Sequence, residues 1–288
     1  MPENIFQEIK FDAYSPKEIA SRVETVGVGK AKLNFLAKFT LSMLAGVFIA
    51  FGAALFTLVV HDSKLSFGMT QALGGLSFCL GLILVVVAGA ELFTGNNLLV
   101  MAYVSKKITL RQILGNWVIV YLGNFIGALS MVLWIYLTRQ WSANSNLVGA
   151  KALLIANAKV GLPFLVAFSR GVLCNALVCL AVWLCIGGRS VTDKILSILF
   201  PITAFVALGF EHSIANMYFI PIGILLKNNP QVLEAVAVMA GKAGDFSHLT
   251  VNAFLIKNLL PVTLGNIVGG GFFVGLVYWF VYLRRQDR

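Results

Sequence analysis

The chain alternates long apolar runs with short polar connections. Continuous apolar stretches lie near residues 35–60, 69–101, 113–138, 162–187, 195–226 and 250–283. A helix needs about 20 residues to cross roughly 30 Å of hydrocarbon, so the pattern predicts six transmembrane helices in a domain spanning 35–283. Because the runs are continuous, with no period-two alternation, they do not fit the strands of a membrane β-barrel. Ahead of them, Pro16–Lys32 sets Ile19, Val23, Val26 and Val28 against Lys17, Glu18, Arg22 and Glu24. That spacing predicts an amphipathic helix capped by Ser15, within an N-terminal segment 1–34 that lies on the membrane surface or beneath a pore mouth. Residues 284–288 form a short basic tail. No signal-peptide pattern precedes the first run, which is therefore expected to stay in the protein as a span.

Composition sharpens the class. Of 288 residues, 59% are apolar and only 12% charged, about half the roughly 25% charged content of soluble proteins, and mean hydropathy is +0.87. The net charge of +10 does not form a nucleic-acid-binding stripe, because the basic residues fall between the apolar runs, where they report topology. Lys10, Lys17, Arg22, Lys30, Lys32, Lys106, Lys107, Arg111, Arg189, Lys194, Arg284, Arg285 and Arg288 fall on the side of the termini. The opposite side holds Lys64, Arg139, Lys151, Lys159, Lys227, Lys242 and Lys257, so both termini are expected to be cytoplasmic. Cys79, Cys174, Cys179 and Cys185 sit inside apolar runs without ligand spacing and read as packed thiols. The three histidines and the deep carboxylates form no metal-ligand pattern, and no cofactor is implied.

The second and fifth runs share a pattern. Gly89, Glu91, Gly95 and Asn96 match Gly209, Glu211, Ala215 and Asn216, each 120 residues further on. The third and sixth runs share another, with Leu122, Gly123, Asn124, Ile126 and Gly127 matching Leu264, Gly265, Asn266, Val268 and Gly269. Two halves of three spans each must be inverted relative to one another, since three is odd. The second and fifth runs are also interrupted by polar clusters, Gly89–Asn97 and Gly209–Ser213. Helix breaks at membrane depth are tolerated only where protein or a water-filled cavity satisfies the backbone. Corresponding breaks in two halves point to a substrate path, and the half-helix N-termini they create favour an anion.

These residues resemble the formate/nitrite transporter family, most closely its bacterial formate channels. The resemblance rests on Gly-Ala-Glu91-Leu-Phe-Thr94, Gly-Phe-Glu211-His212-Ser-Ile-Ala-Asn216-Met and Pro261-Val-Thr-Leu-Gly-Asn266-Ile-Val-Gly, with Phe246-Ser-His248-Leu-Thr-Val and Arg189-Ser190 in support, and covers the chain from about residue 16 onward. It implies an all-α, aquaporin-like fold in the inner membrane, a homopentamer with one pore per protomer, and passage of formate or related small monovalent anions. It also implies that Thr94 and His212 face each other in the pore. Phe78, Leu82, Leu92 and Phe205 would form apolar constrictions, Asn175 and Asn266 would supply polar contacts, and Lys30 and Lys159 would stand near the two vestibules. Gly95-Asn96-Asn97 departs from the family, whose formate channels often carry Ser or Thr there.

Each residue also has a plainer reading. An ionisable group at membrane depth costs at least roughly 2.5 kcal/mol on insertion scales, so His212, the only histidine inside a span, needs a reason to be there. Thr94 could simply cap the half-helix that follows it, and the four constriction residues could be ordinary core. Glu91 and Glu211 would repel an anion if they lined its path. They are therefore expected, with Asn216, to support the loops, the carboxylates by accepting backbone N–H bonds or by pairing with His212. His61 and His248 lie near membrane ends and read as solvated or capping groups.

In the transport reading, basic vestibules concentrate a carboxylate, which sheds water at an apolar collar and meets Thr94 and His212. His212 then either hands over a proton or acts as an electrostatic relay, and acid should alter flux in both cases. Nitrite or hydrosulfide is the alternative substrate within the family. A water- or glycerol-type channel would carry Asn-Pro-Ala at both breaks, and neither break contains proline. A membrane enzyme would need haem-spaced histidines or an activated nucleophile, which the sequence lacks.

Overall fold

The computed structural model describes residues 13–242 and 244–284. Lys10, Arg285 and Arg288, counted above in the charge asymmetry, lie outside that range, as do residues 1–12 of the N-terminal segment and 285–288 of the tail. The described chain is helical, with no strand among the described residues. It opens with α1 (Pro16–Lys32), which Ser15 and Glu18 start with a reciprocal capping box. Next come α2 (Phe35–Val60), capped by Asn34, and α3 (Phe67–Gly89), whose last turn widens at Leu84–Gly89. After a break, a tight turn at Gly95–Leu98 leads into α4 (Leu99–Val104). A second capping box, Thr109 with Gln112, starts α5 (Leu110–Leu137).

The remaining elements repeat this order. They are α6 (Leu147–Val160), α7 (Phe164–Gly187), α8 (Val191–Ala207), α9 (Ser213–Leu226) and α11 (Ala253–Tyr282), with one additional helix, α10 (Pro230–Ala240), before the last. Among the described residues, five helices are long and apolar enough to cross a membrane: α2, α3, α5, α7 and α11. The fifth expected run, 195–226, is divided at Leu208–His212 into α8 and α9, neither of which reaches that length alone. Proline inside each of these two helices, Pro201 and Pro221, shortens the hydrogen-bonded ladder further.

Helices α2 and α5, and likewise α7 and α11, approach closely enough that their backbones touch. A Cβ at Gly127 would lie 2.0 Å from Met43 O, and one at Gly269 would lie 2.0 Å from Val172 O. Small residues four apart on a membrane helix permit this approach, and Gly123 and Gly265 complete the two pairs. The amphipathic helix is not a free surface element. Ile19 and Val23 are buried against Leu98, Met101, Cys179 and Trp183, while Arg22, Thr25 and Lys30 border a cavity.

Candidate transport site

Both breaks are built the same way. Gly89 (φ 91°) and Gly209 (φ 68°) end α3 and α8 in the left-handed region that glycine tolerates without strain. One residue later, the N–H of Ala90 bonds Val85 O and that of Phe210 bonds Phe205 O. The Glu91 N–H then reaches Leu41 O on α2, and the Glu211 N–H reaches Arg170 O on α7, at 3.2 and 3.3 Å.

Two asparagines hold the extended residues that follow. Asn124 Oδ1 accepts from Phe93 N–H at 2.9 Å while its Nδ2 donates to Ser42 O and Glu91 O. Asn266 Oδ1 accepts from Ser213 N–H at 2.9 Å while its Nδ2 donates to Gly171 O and Glu211 O. These are backbone groups that the breaks deprive of helical partners, so each asparagine replaces what the ladder lost.

The two carboxylates differ from expectation. Neither is bonded to His212 or to a break N–H. Lys30 Nζ donates to Glu91 Oε1 at 2.7 Å, and Lys159 Nζ donates to Glu211 Oε1 at 2.9 Å. The other carboxylate oxygens accept from Asn96 and Asn216, both at 2.7 Å. Asn116 and Asn258, which the motifs did not single out, close each cluster by accepting from that asparagine and donating to the carbonyl of Lys30 or Lys159. A buried carboxylate is stable only when paired and fully hydrogen-bonded, and lysine, rather than histidine, meets that need here. The two lysines do border the cavities, but as neutralised halves of ion pairs.

The residues that lead out of the two breaks meet. Thr94 Oγ1 and His212 Nε2 are 3.0 Å apart, and both residues are buried. Thr94 makes no side-chain cap to the turn it precedes, whereas His212 caps α9, its Nδ1 accepting from Ala215 N–H at 3.1 Å. An accepting Nδ1 places the ring proton on Nε2, which therefore donates to the Thr94 oxygen. Asn175 donates towards Thr94 O, Asn97 Oδ1 and Asn266 O, tying the first break to α11. Asn96 and Asn97, in the stretch that departs from the family, thus both have partners.

A cavity borders each break. One, of about 280 Å³, is lined by His212, Phe78 and Phe205 together with Lys159, Arg170 and Gln71. The other, of about 1040 Å³, is lined by Leu82, Leu92 and Lys30 together with α1 residues. Phe78 and Phe205 meet edge to face at 5.7 Å, and Phe205 stacks on the His212 ring at 5.9 Å. All four apolar residues are at most 3% exposed.

The formate/nitrite transporter family profile matches residues 17–280. The chain belongs to that family. It is 44% identical to the formate channel FocA of Escherichia coli strain K12 over 281 residues, covering 96% of this chain and 97% of that protein. It is 38% identical to the formate channel FocA of Haemophilus influenzae over 273 residues, covering 94% and 95%. A solved pentameric formate channel with formate bound superposes with a TM-score of 0.79 at 41% identity, over 87% of this chain and 98% of that one. An ion channel of the same family superposes with a TM-score of 0.75 at 28% identity, over 92% and 98%.

Proposed function

We propose that this protein is a formate channel of the bacterial inner membrane, working as a homopentamer with a pore in each protomer and both termini in the cytoplasm. The observation that carries the reading is the Thr94–His212 contact at 3.0 Å, which joins the two breaks, each bordered by a cavity. Phe78 and Phe205 form the collar on one side, and Leu82 and Leu92 form the one on the other. With His212 Nε2–H donating to Thr94 Oγ1, the Thr94 hydroxyl proton is left over as a donor for a passing carboxylate. The N-terminus of α9, which His212 caps, adds partial positive charge at the same place. The charges of the carboxylates are compensated by Lys30 and Lys159, so the anion does not meet an uncompensated like charge.

The architecture is two inverted three-span halves related by a pseudo-twofold axis. Two contacts support this, each joining a residue to its own counterpart: Cys79 Sγ to Leu199 O, 120 residues on, and Tyr121 to Thr263, 142 residues on. Only residues on such an axis can touch their own equivalents.

The test is the reversal potential of purified protein in a planar bilayer under a formate gradient, with sulfate as impermeant balance. A potential that follows formate is expected. Absence of both formate current and formate uptake into liposomes would overturn the reading. Uptake without current would instead mean that formate crosses together with a proton.

A further inference from the structure

We propose that Arg170 is the carboxylate-docking residue at the mouth of the 280 Å³ cavity, and that its guanidinium favours two-oxygen anions over spherical ones. The inference rests on the formate-channel reading above and adds a residue that neither the motifs nor the resemblance assigned. Arg170 lies six residues into α7, about 9 Å below its start at 1.5 Å per residue. A permanent charge at that depth in an apolar helix is costly. Its backbone has a structural task, since Arg170 O accepts the Glu211 N–H, but a carbonyl serves that task whatever the side chain.

The other half shows this directly. The equivalent carbonyl belongs to Leu41, which accepts the Glu91 N–H and borders the other cavity with an apolar side chain. The guanidinium is therefore surplus to the break's architecture.

Around that cavity the remaining charge is accounted for. Lys159 and Glu211 neutralise one another at 2.9 Å, His212 is held as the neutral Nε2–H tautomer by its two hydrogen bonds, and Gln71 and Asn216 are uncharged. Among the described residues, no side-chain hydrogen bond or ion pair engages Arg170. The cavity thus carries one uncompensated positive group, half-buried and bordering the same space as His212. A guanidinium offers parallel N–H donors matched to the two oxygens of a carboxylate. Chloride can use the charge but not the fork.

The test uses full-length protein in planar bilayers, reading formate current against formate concentration and the formate-to-chloride permeability ratio. Arg170→Leu, which installs the residue of the other half, should raise the half-saturating formate concentration about tenfold and move the ratio towards chloride. Arg170→Lys should keep the half-saturating concentration within about threefold while losing the ratio as Arg170→Leu does. Should Arg170→Leu fail to assemble, Arg170→Gln is read in its place with the same expectation. Unchanged concentration dependence and ratio in the neutral variant would overturn the proposal, and a wild-type ratio in Arg170→Lys would overturn the role of the fork. A wild-type protein that passes no formate would instead sink the underlying formate-channel reading.

Discussion

Removing the ammonium of Lys159 gives the sharpest test of how the breaks keep an anion path free of negative charge. Glu211 is 3% exposed, and Lys159 is its cationic partner at 2.9 Å. Lys159→Met leaves a buried carboxylate whose remaining donors, Asn216 and Asn258, are uncharged. Stripping one partner from such a pair costs about 3–5 kcal/mol. The orphaned charge also acts on the permeant ion. At a separation of about 8 Å and an effective dielectric of about 20, a formate near His212 is disfavoured by about 2 kcal/mol, a roughly 30-fold loss of occupancy. Lys159→Met should therefore lower formate flux by at least about tenfold and reduce pentamer yield on size-exclusion chromatography. The double variant Lys159→Met with Glu211→Gln removes both charges and keeps an amide able to bond Asn216, so it should recover most of the flux. If Lys159→Met and the double variant conduct equally, the pair is not guarding the path electrostatically and the reasoning fails.

Three further outcomes are expected. His212→Asn keeps a side-chain oxygen that can cap α9 but removes the ring N–H that donates to Thr94, so pentamer yield should hold while formate flux falls; His212→Phe should also lose the cap, lowering thermal stability by about 1 kcal/mol, and abolish passage. Leu92→Ala opens the collar on the α1 side and should admit acetate or propionate in a liposome uptake assay, and an unaltered substrate profile would reduce Leu92 to packing. Gly127→Ala drives a methyl into Met43 O and should cost several-fold in assembled protein, whereas Gly115→Ala, which meets nothing within 4 Å, should match wild type in yield.

How much of this was legible in the sequence depended on whether the signal was local. The breaks were readable because Gly89–Asn97 and Gly209–Ser213 put glycine and polar residues inside apolar runs, which membranes rarely tolerate without reason. Asn124 and Asn266 were readable because each sits in a repeated Leu-Gly-Asn motif. The lysine partners of Glu91 and Glu211 were not, since they lie 61 and 52 residues away. The helices that carry them, α1 and α6, have too little sequence in common to declare their equivalence. Asn116 and Asn258 were missed for the same reason: an isolated asparagine in an apolar helix says that it needs a partner but not which one. Thr94 was ambiguous because a hydroxyl before a helix suits either a cap or a ligand, and the structure gives the cap to His212 instead.

The repeat also shows where function departs from scaffold. Position for position, Lys30, Glu91, Asn96, Asn116 and Asn124 recur as Lys159, Glu211, Asn216, Asn258 and Asn266, sharing the lysine–carboxylate, asparagine–carboxylate and asparagine–asparagine bonds; Lys30 donates in addition to Asn96, and Asn258 to Glu211. A support network that must hold a broken helix has one good solution, so both halves keep it. At the point where the halves meet the identities diverge: His212 is the counterpart of Leu92, and Thr94 of Ile214. Strict symmetry would give two apolar pairs or two Thr–His pairs. The first would offer no donor to a desolvated anion, and the second would put two imidazoles into one narrow site. One Thr and one His, each drawn from a different half, leave a single donor pair with Leu92 and Ile214 as its apolar complement. The asymmetry at these two positions, set against the shared support around them, is what the proposed role of Thr94 and His212 in meeting the permeant anion would require.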